Sequence, residues 1–323
     1  MVVPLILTLY GVAAAVLLPR LLARGTWADR APRLAITVWL ASCVSCVAAV
    51  VLAGLAVAVP ASMVGHGLAH LFEVCAAMLA DVTAMSSMDA RLALLVSAAL
   101  TVRLAYCAAV VLLRARRERR QHADMLALLG RHDGDLGAVV LTYDEPVAYC
   151  LPGRRGTTVI TTGALRALSR PEAAAVLAHE RAHLRGRHHL PLAATDAMAR
   201  AFPRVPLFDR ARSEVARLVE LLADDVAARR HPRLHLAAAL VRLATGRPPA
   251  FALGAGGGTA ITRLRRLLAP ESPLSRHERW AGMAVVAALL AGPAAVAAWP
   301  GVSAFLAQHC LEVHDCVDTG LFH

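Results

Sequence analysis

From Leu34 to Val59 the chain carries no charged residue, and Pro60 closes the run. An apolar stretch of that length crosses the roughly 30 Å hydrocarbon core of a bilayer as a helix, because lipid offers the backbone no hydrogen-bond partner but itself. Three more runs repeat the pattern. Residues 2–23 stay apolar until Pro19 and Arg20, with no basic segment ahead and no small-residue cleavage signature, so they read as a first span and not as a secretory signal. Residues 92–113 make a third span with one interior charge, Arg103. Residues 280–299 make a fourth, bracketed by Trp280 and Trp299 at interface positions. A mean hydropathy of +0.55 agrees with a membrane class. Residues 61–80 are apolar yet hold His66, His70 and Glu73. Helical spacing allows a second metal site there, but an amphipathic segment on the outer surface is the simpler reading.

Arginine placement sets the orientation. All 34 basic residues are arginine, and the formal net charge is +11. Arg20, Arg24, Arg30 and Arg33 lie between the first two spans, Arg114, Arg116, Arg117, Arg119 and Arg120 follow the third, and Arg276 and Arg279 precede the fourth. Residues 60–90 and 300–323 contain none. The positive-inside rule then puts the N-terminus outside, residues 114–279 in the cytoplasm and the short tail 300–323 outside, in a plasma membrane. With 4% aromatic residues and no nucleic-acid-binding motif, the charge points to anionic membrane lipids and not to nucleic acid. Cys310 and Cys316 in the outer tail are spaced for a small disulfide loop, while Cys150, on the reducing side, reads as a buried structural thiol.

Within the cytoplasmic stretch, His179-Glu180-Arg181-Ala182-His183 spells H-E-x-x-H. Side chains four apart share a helix face, so His179 and His183 present two imidazoles to one ion while Glu180 lies beside them to take a proton from water. Ser169 and Glu172 form a capping box for this helix, Ala173 to Ala178 continue it, and Gly186 is a stop signal. A catalytic zinc needs a third protein ligand. Glu220 and Asp224, again four apart, supply a carboxylate ligand and an acceptor for a ligand histidine's free N–H, with the spacing silent on which is which. Asp225 points away and reads as solvated. His188, Arg229 and His231 are candidates to steady a transition-state oxyanion, with His189, Arg230 and His235 close by in sequence. Residues 113–129 continue the third span as a basic helix, and 137–141, 148–151 and 157–161 read as strands. An edge strand beside the metal helix would let an extended substrate add its backbone to the sheet. Residues 251–258 are a glycine-rich linker, and 259–268 resume as a basic amphipathic helix suited to the inner leaflet.

Pro171 to His183, with the later Glu220-x-x-Ala-Asp224, resembles the BlaR/MecR-type integral-membrane zinc metallopeptidases and, more distantly, HtpX and the CAAX-prenyl endopeptidases. The resemblance covers about residues 120–270. It implies a gluzincin in which His179, His183 and Glu220 hold one Zn2+, Glu180 is the general base and Asp224 backs a ligand histidine. Sensor members carry a penicillin-binding domain after the last span, and the roughly two dozen residues following it here do not support β-lactam sensing by this chain alone. The expected architecture is a mainly α membrane protein of about four spans, with an N-terminal membrane region at 1–113 and a cytoplasmic α+β zincin-like domain at 114–279. The expected activity is cleavage of a protein substrate. The resemblance points to a cytoplasmic repressor in a signalling pathway, with HtpX-type quality control or a non-cutting zinc scaffold as the alternatives.

Overall fold

The computed structural model describes residues 2–58, 88–153, 156–244, 257–270 and 272–318, the last nineteen of these as backbone alone. The 61–80 segment with His66, His70 and Glu73, most of the glycine-rich linker, and the Cys310 and Cys316 side chains lie outside the described residues. Among the described residues, four helices are long and apolar enough to cross a membrane: 2–22, 32–57, 88–129 and 276–299. The chain divides into two compact units, one of residues 1–22, 41–105 and 283–323 and the other of 23–40 and 106–282.

The first unit is built from α1 (Val2–Leu22), most of α3 (Pro32–Ala58), the first part of α4 (Met88–Leu129) and most of α11 (Arg276–Asp318). Apolar surface has little drive to associate in lipid, so close approach of small residues matters more. Gly54 shows it: a Cβ there would lie 1.9 Å from Ser97 Oγ, so α3 and α4 meet only because Gly54 has no side chain. Leu7, Ala49 and Ala53 are buried together, and the Tyr10 hydroxyl meets Ser45 Oγ at 2.6 Å. α4 joins the third span and the basic segment into one helix, as the sequence indicates. α11 continues through the stretch read as a tail, where no helix breaker occurs between Gly301 and Asp318.

The second unit pairs a four-stranded sheet with helices. β1 (Gly130–Asp133), β2 (Ala138–Leu141), β3 (Ala148–Leu151) and β4 (Thr157–Thr161) lie in the order β1-β2-β4-β3. β2 and β4 are parallel, and both outer pairs are antiparallel. β1 went unread because Gly-Arg-His-Asp has the composition of a loop; pairing with β2 makes it a strand. Its charged residues guard that edge against further pairing, whereas the β3 edge is Ala-Tyr-Cys-Leu. Helices α5 (Thr162–Ala167), α6 (Arg170–Arg185), α7 (His189–Ala201), α8 (Pro206–Ala228), α9 (Arg233–Ala244) and α10 (Gly257–Leu268) follow, with the four-residue α2 (Trp27–Arg30) completing the unit. α6 packs against β3, α8 and α9. Its run of alanines permits the close approach, and Ala173, Ala175, Val176 and Leu177 are buried. α8 starts at Pro206 and buries Leu207, Ala211, Val215, Leu218, Leu221 and others at helical spacing, one stripe facing inward.

The start of α6 is fixed by the capping box: Glu172 accepts the Ser169 N–H at 2.8 Å. That backbone hydrogen bond, ahead of any charge effect, holds the buried Glu172 carboxyl below its usual range. Replacing Glu172 with Ala is expected to cost about 1 kcal/mol, read as a lower thermal midpoint. A depressed carboxyl stabilises above its unfolded pKa and loses that contribution as pH falls through the folded value. The gap between wild type and Glu172→Ala should therefore close on acidification below roughly pH 4.

Candidate metal centre

Two helices position the centre. α6 carries His179 and His183 on one face, α8 carries Glu220 and Asp224 on one face, and the two helices pack together. The donor atoms of His179, His183 and Glu220 all lie within 4.8 Å of one another. The two imidazole Nε2 atoms are 3.1 Å apart, and Glu220 places Oε2 3.5 Å from His179 Nε2 and Oε1 3.4 Å from His183 Nε2. Donors bound at about 2.1 Å to a tetrahedral ion are separated by about 3.4 Å. The three spacings therefore fit a single four-coordinate cation, with three protein donors and one position left over.

The outer nitrogens decide which inner ones are available. His179 Nδ1 lies 2.9 Å from Asp224 Oδ1 and donates its proton there, so that when Nε2 gives up its proton to a metal ion the lone pair faces the cluster. Of the two acids, Asp224 is thus the one on the far nitrogen of His179. His183 Nδ1 lies 3.0 Å from His188 Nδ1. One of the two rings donates to the other there; with a metal ion on His183 Nε2, His183 would be the donor and His188 the accepting ring. His188 is buried in this backing position. Gly186 makes room for it: a Cβ there would lie 2.4 Å from His188 Nε2, and the helix-ending φ of −75° needs no glycine. The left-handed residue after the helix is instead Arg187, at φ 48°.

Arg263, from α10, completes the cluster. It reads in the sequence as part of a leaflet-facing basic stripe. The structure turns it inward, with Nε and Nη2 each 2.8 Å from an Asp224 oxygen and Nη1 3.0 Å from Glu220 Oε2. Arg266 does the same for Asp225, at 2.6 and 2.9 Å, so that acid is a clamped partner and not a solvated one. The reason is electrostatic: neighbouring carboxylates on a partly buried helix face need cations close by. No short-range signal marks Arg263, since 39 residues separate it from Asp224.

Burial would raise the Glu220 and Asp224 carboxyls. Hydrogen bonds from His179 and the charges of His179 and Arg263 overcome it, holding Glu220 at about 2 and Asp224 well below the carboxylate range. For Glu180 support of this kind is too weak to offset burial. Burial foremost, with the Glu220 charge, pushes its carboxyl up to about 7 against the pull of His179. Glu180 lies close to the Cys150 thiol on β3, and burial first and the Glu180 carboxylate next push that thiol well above its ordinary range. Cys150 thereby stays a protonated donor against Glu180, a contact that its sequence position does not announce. His231 and Arg229 are not brought to the cluster: His231 closes the end of α8 through its backbone N–H to Ala227, and exposed Arg229 lines a separate cavity.

Residues 114–205 match the family model described as Peptidase family M48. The match, over less than a third of the chain, suggests a metallopeptidase and does not fix the BlaR/MecR-type or HtpX-type resemblance. The matched stretch contains His179, Glu180 and His183 and stops before Glu220, which α8 adds from outside it. No curated protein and no solved structure matches the chain.

If Asp224 and His188 hold the two imidazoles from behind, Asp224→Ala and His188→Ala should each weaken metal affinity by roughly 10–100-fold. Chelator competition on the purified full-length protein measures it. Unchanged affinity in both variants would remove the backing roles.

Proposed function

We propose that this chain is a membrane-embedded zinc endopeptidase. The observation that carries the reading is the convergence of His179, His183 and Glu220 from two helices with Glu180 beside them. Two imidazoles and a carboxylate are a donor set suited to zinc, and a scaffold site would close its fourth position and have no use for Glu180. Zinc, when bound, supplies the Lewis acidity that lowers the pKa of a water from 15.7 toward about 7 and polarises the scissile carbonyl.

The chain's own groups do the rest. Glu180 accepts the proton of the attacking water and hands it to the leaving amine, a task matched by a carboxyl that burial has raised toward neutrality. The Cys150 thiol orients the Glu180 carboxylate from the strand side. β3 offers an uncharged edge, unpaired among the described residues, on the strand that carries Cys150, so an extended peptide that adds there is held by backbone hydrogen bonds close to Glu180. Such binding favours extended or locally unfolded segments over a particular side-chain sequence.

The arginine distribution supports a cytoplasmic placement of 114–279 in the plasma membrane. Together with the BlaR/MecR-type resemblance, this makes a cytoplasmic transcriptional repressor the substrate class in our reading. A small winged-helix repressor encoded beside the chain is the genomic arrangement that goes with it; HtpX-type turnover of damaged membrane proteins goes with its absence.

Glu180→Gln is expected to bind zinc as wild type does and to lose cleavage by at least about 100-fold, whereas His179→Ala loses both. The assay is hydrolysis of an unfolded protein substrate by the full-length protein in membranes, with zinc content measured on the same samples. Wild-type turnover in Glu180→Gln would falsify the assignment.

A further inference from the structure

A second concave site lies in the unit of residues 23–40 and 106–282 and shares no lining residue with the metal centre. Its volume is about 740 Å³, and its charged walls are Asp29, Arg30, Asp225, Arg229, Arg233 and Arg266. Both aspartates are already engaged. Arg217 Nη1 lies 2.5 Å from Asp29 Oδ1, and Arg266 holds Asp225 through both its oxygens. Arg30 is fixed by the Ser272 and Pro273 carbonyls at 2.9 and 3.2 Å and by Glu278 at 3.3 Å. These pairs make rigid walls. Arg229 is exposed, and no carboxylate among the described residues forms an ion pair with it. With Arg30 matched by Glu278 and Arg266 by Asp225, it is the exposed Arg229 that leaves the described walls an excess of positive charge.

Its place in the chain is as telling as its charge. α2 lies between the candidate spans 2–22 and 32–57, and Arg30 stands two residues before Pro32. The loop with Ser272 and Pro273 runs directly into the span 276–299. Inside the same unit the starts of α3 and α11 touch, since a Cβ on Gly282 would fall 2.5 Å from Leu34 Cδ2. The cavity walls are therefore within a few residues of two points where the chain enters the membrane. Its size suits a small polar headgroup, and arginine forks match the oxygens of a phosphate.

We propose that this cavity binds a phosphate group, supplied by the headgroup of an anionic phospholipid. A soluble phosphate shares the chemistry, so the test separates the two sources. Full-length protein is placed in phosphatidylcholine nanodiscs with and without phosphatidylglycerol, and retained lipid is counted by native mass spectrometry. Wild type should retain phosphatidylglycerol over phosphatidylcholine, and Arg229→Gln/Arg233→Gln should lose that preference by about tenfold or more. The control Arg116→Gln/Arg117→Gln removes the same charge from α4 and should keep it. Arg229→Gln alone leaves the wall pairs intact and guards against misfolding; it should lose part of the preference while zinc content stays normal. In a parallel arm, glycerol 3-phosphate is titrated into the phosphatidylcholine discs. Arginine-dependent binding there, with no added preference for phosphatidylglycerol, keeps the phosphate site and overturns the lipid source. A control pair that loses as much as the cavity pair, or a cavity pair that loses nothing, overturns the site itself.

Discussion

Glu220, Asp224 and the two α6 histidines share a small, largely buried space between helices, and like charges do not gather there unless something compensates them. Arg263 is the compensation within the chain. It holds Asp224 through both oxygens and shares Glu220, and Asp224 in turn fixes the ring of His179. The order of α8 against α6, the orientation of the His179 ring and the docking of α10 all follow from this one ion-paired knot. Pairs of this kind contribute little net stability compared with apolar packing, but removing one member is costly because the other charge stays buried. The packing energy of the region comes instead from the apolar stripe of α8 and the alanine face of α6.

Much of this was open to a reader of the sequence alone. The four spans stand out because lipid permits so few backbone solutions, and the α6 and α8 pairs stand out because a helix repeats its faces every three to four residues. The rest depends on contacts between residues far apart. Arg263 reads as surface because its partners lie on another helix. Asp225 reads as solvated because helical geometry turns it off the Asp224 face, and only the arrival of Arg266 gives it a partner. Cys150 could be assigned a strand but not a neighbour, and β1 acquires its identity from β2. Gly186 reads as a helix stop and the helix does end at it, but that its missing side chain also admits the His188 ring depends on a contact the sequence does not announce.

Reading and structure also differ on what basic residues are for. A stripe of arginines after a glycine-rich linker suggests a helix lying on a leaflet. In α10 two of those arginines are spent on the acids of α8, and the cations near the membrane-entry points are found on α2 and at the junction of α8 and α9 instead. Periodicity locates an amphipathic face but does not say whether lipid or protein covers it.

The unequal backing of the two histidines has a further consequence. His179 is pressed by an anion from behind, which makes it the more basic donor; His183 leans on a neutral ring and is the softer of the two. Such a centre has a firm side and a yielding side. A metal ion held there would find its stronger donor in His179 and its weaker one in His183.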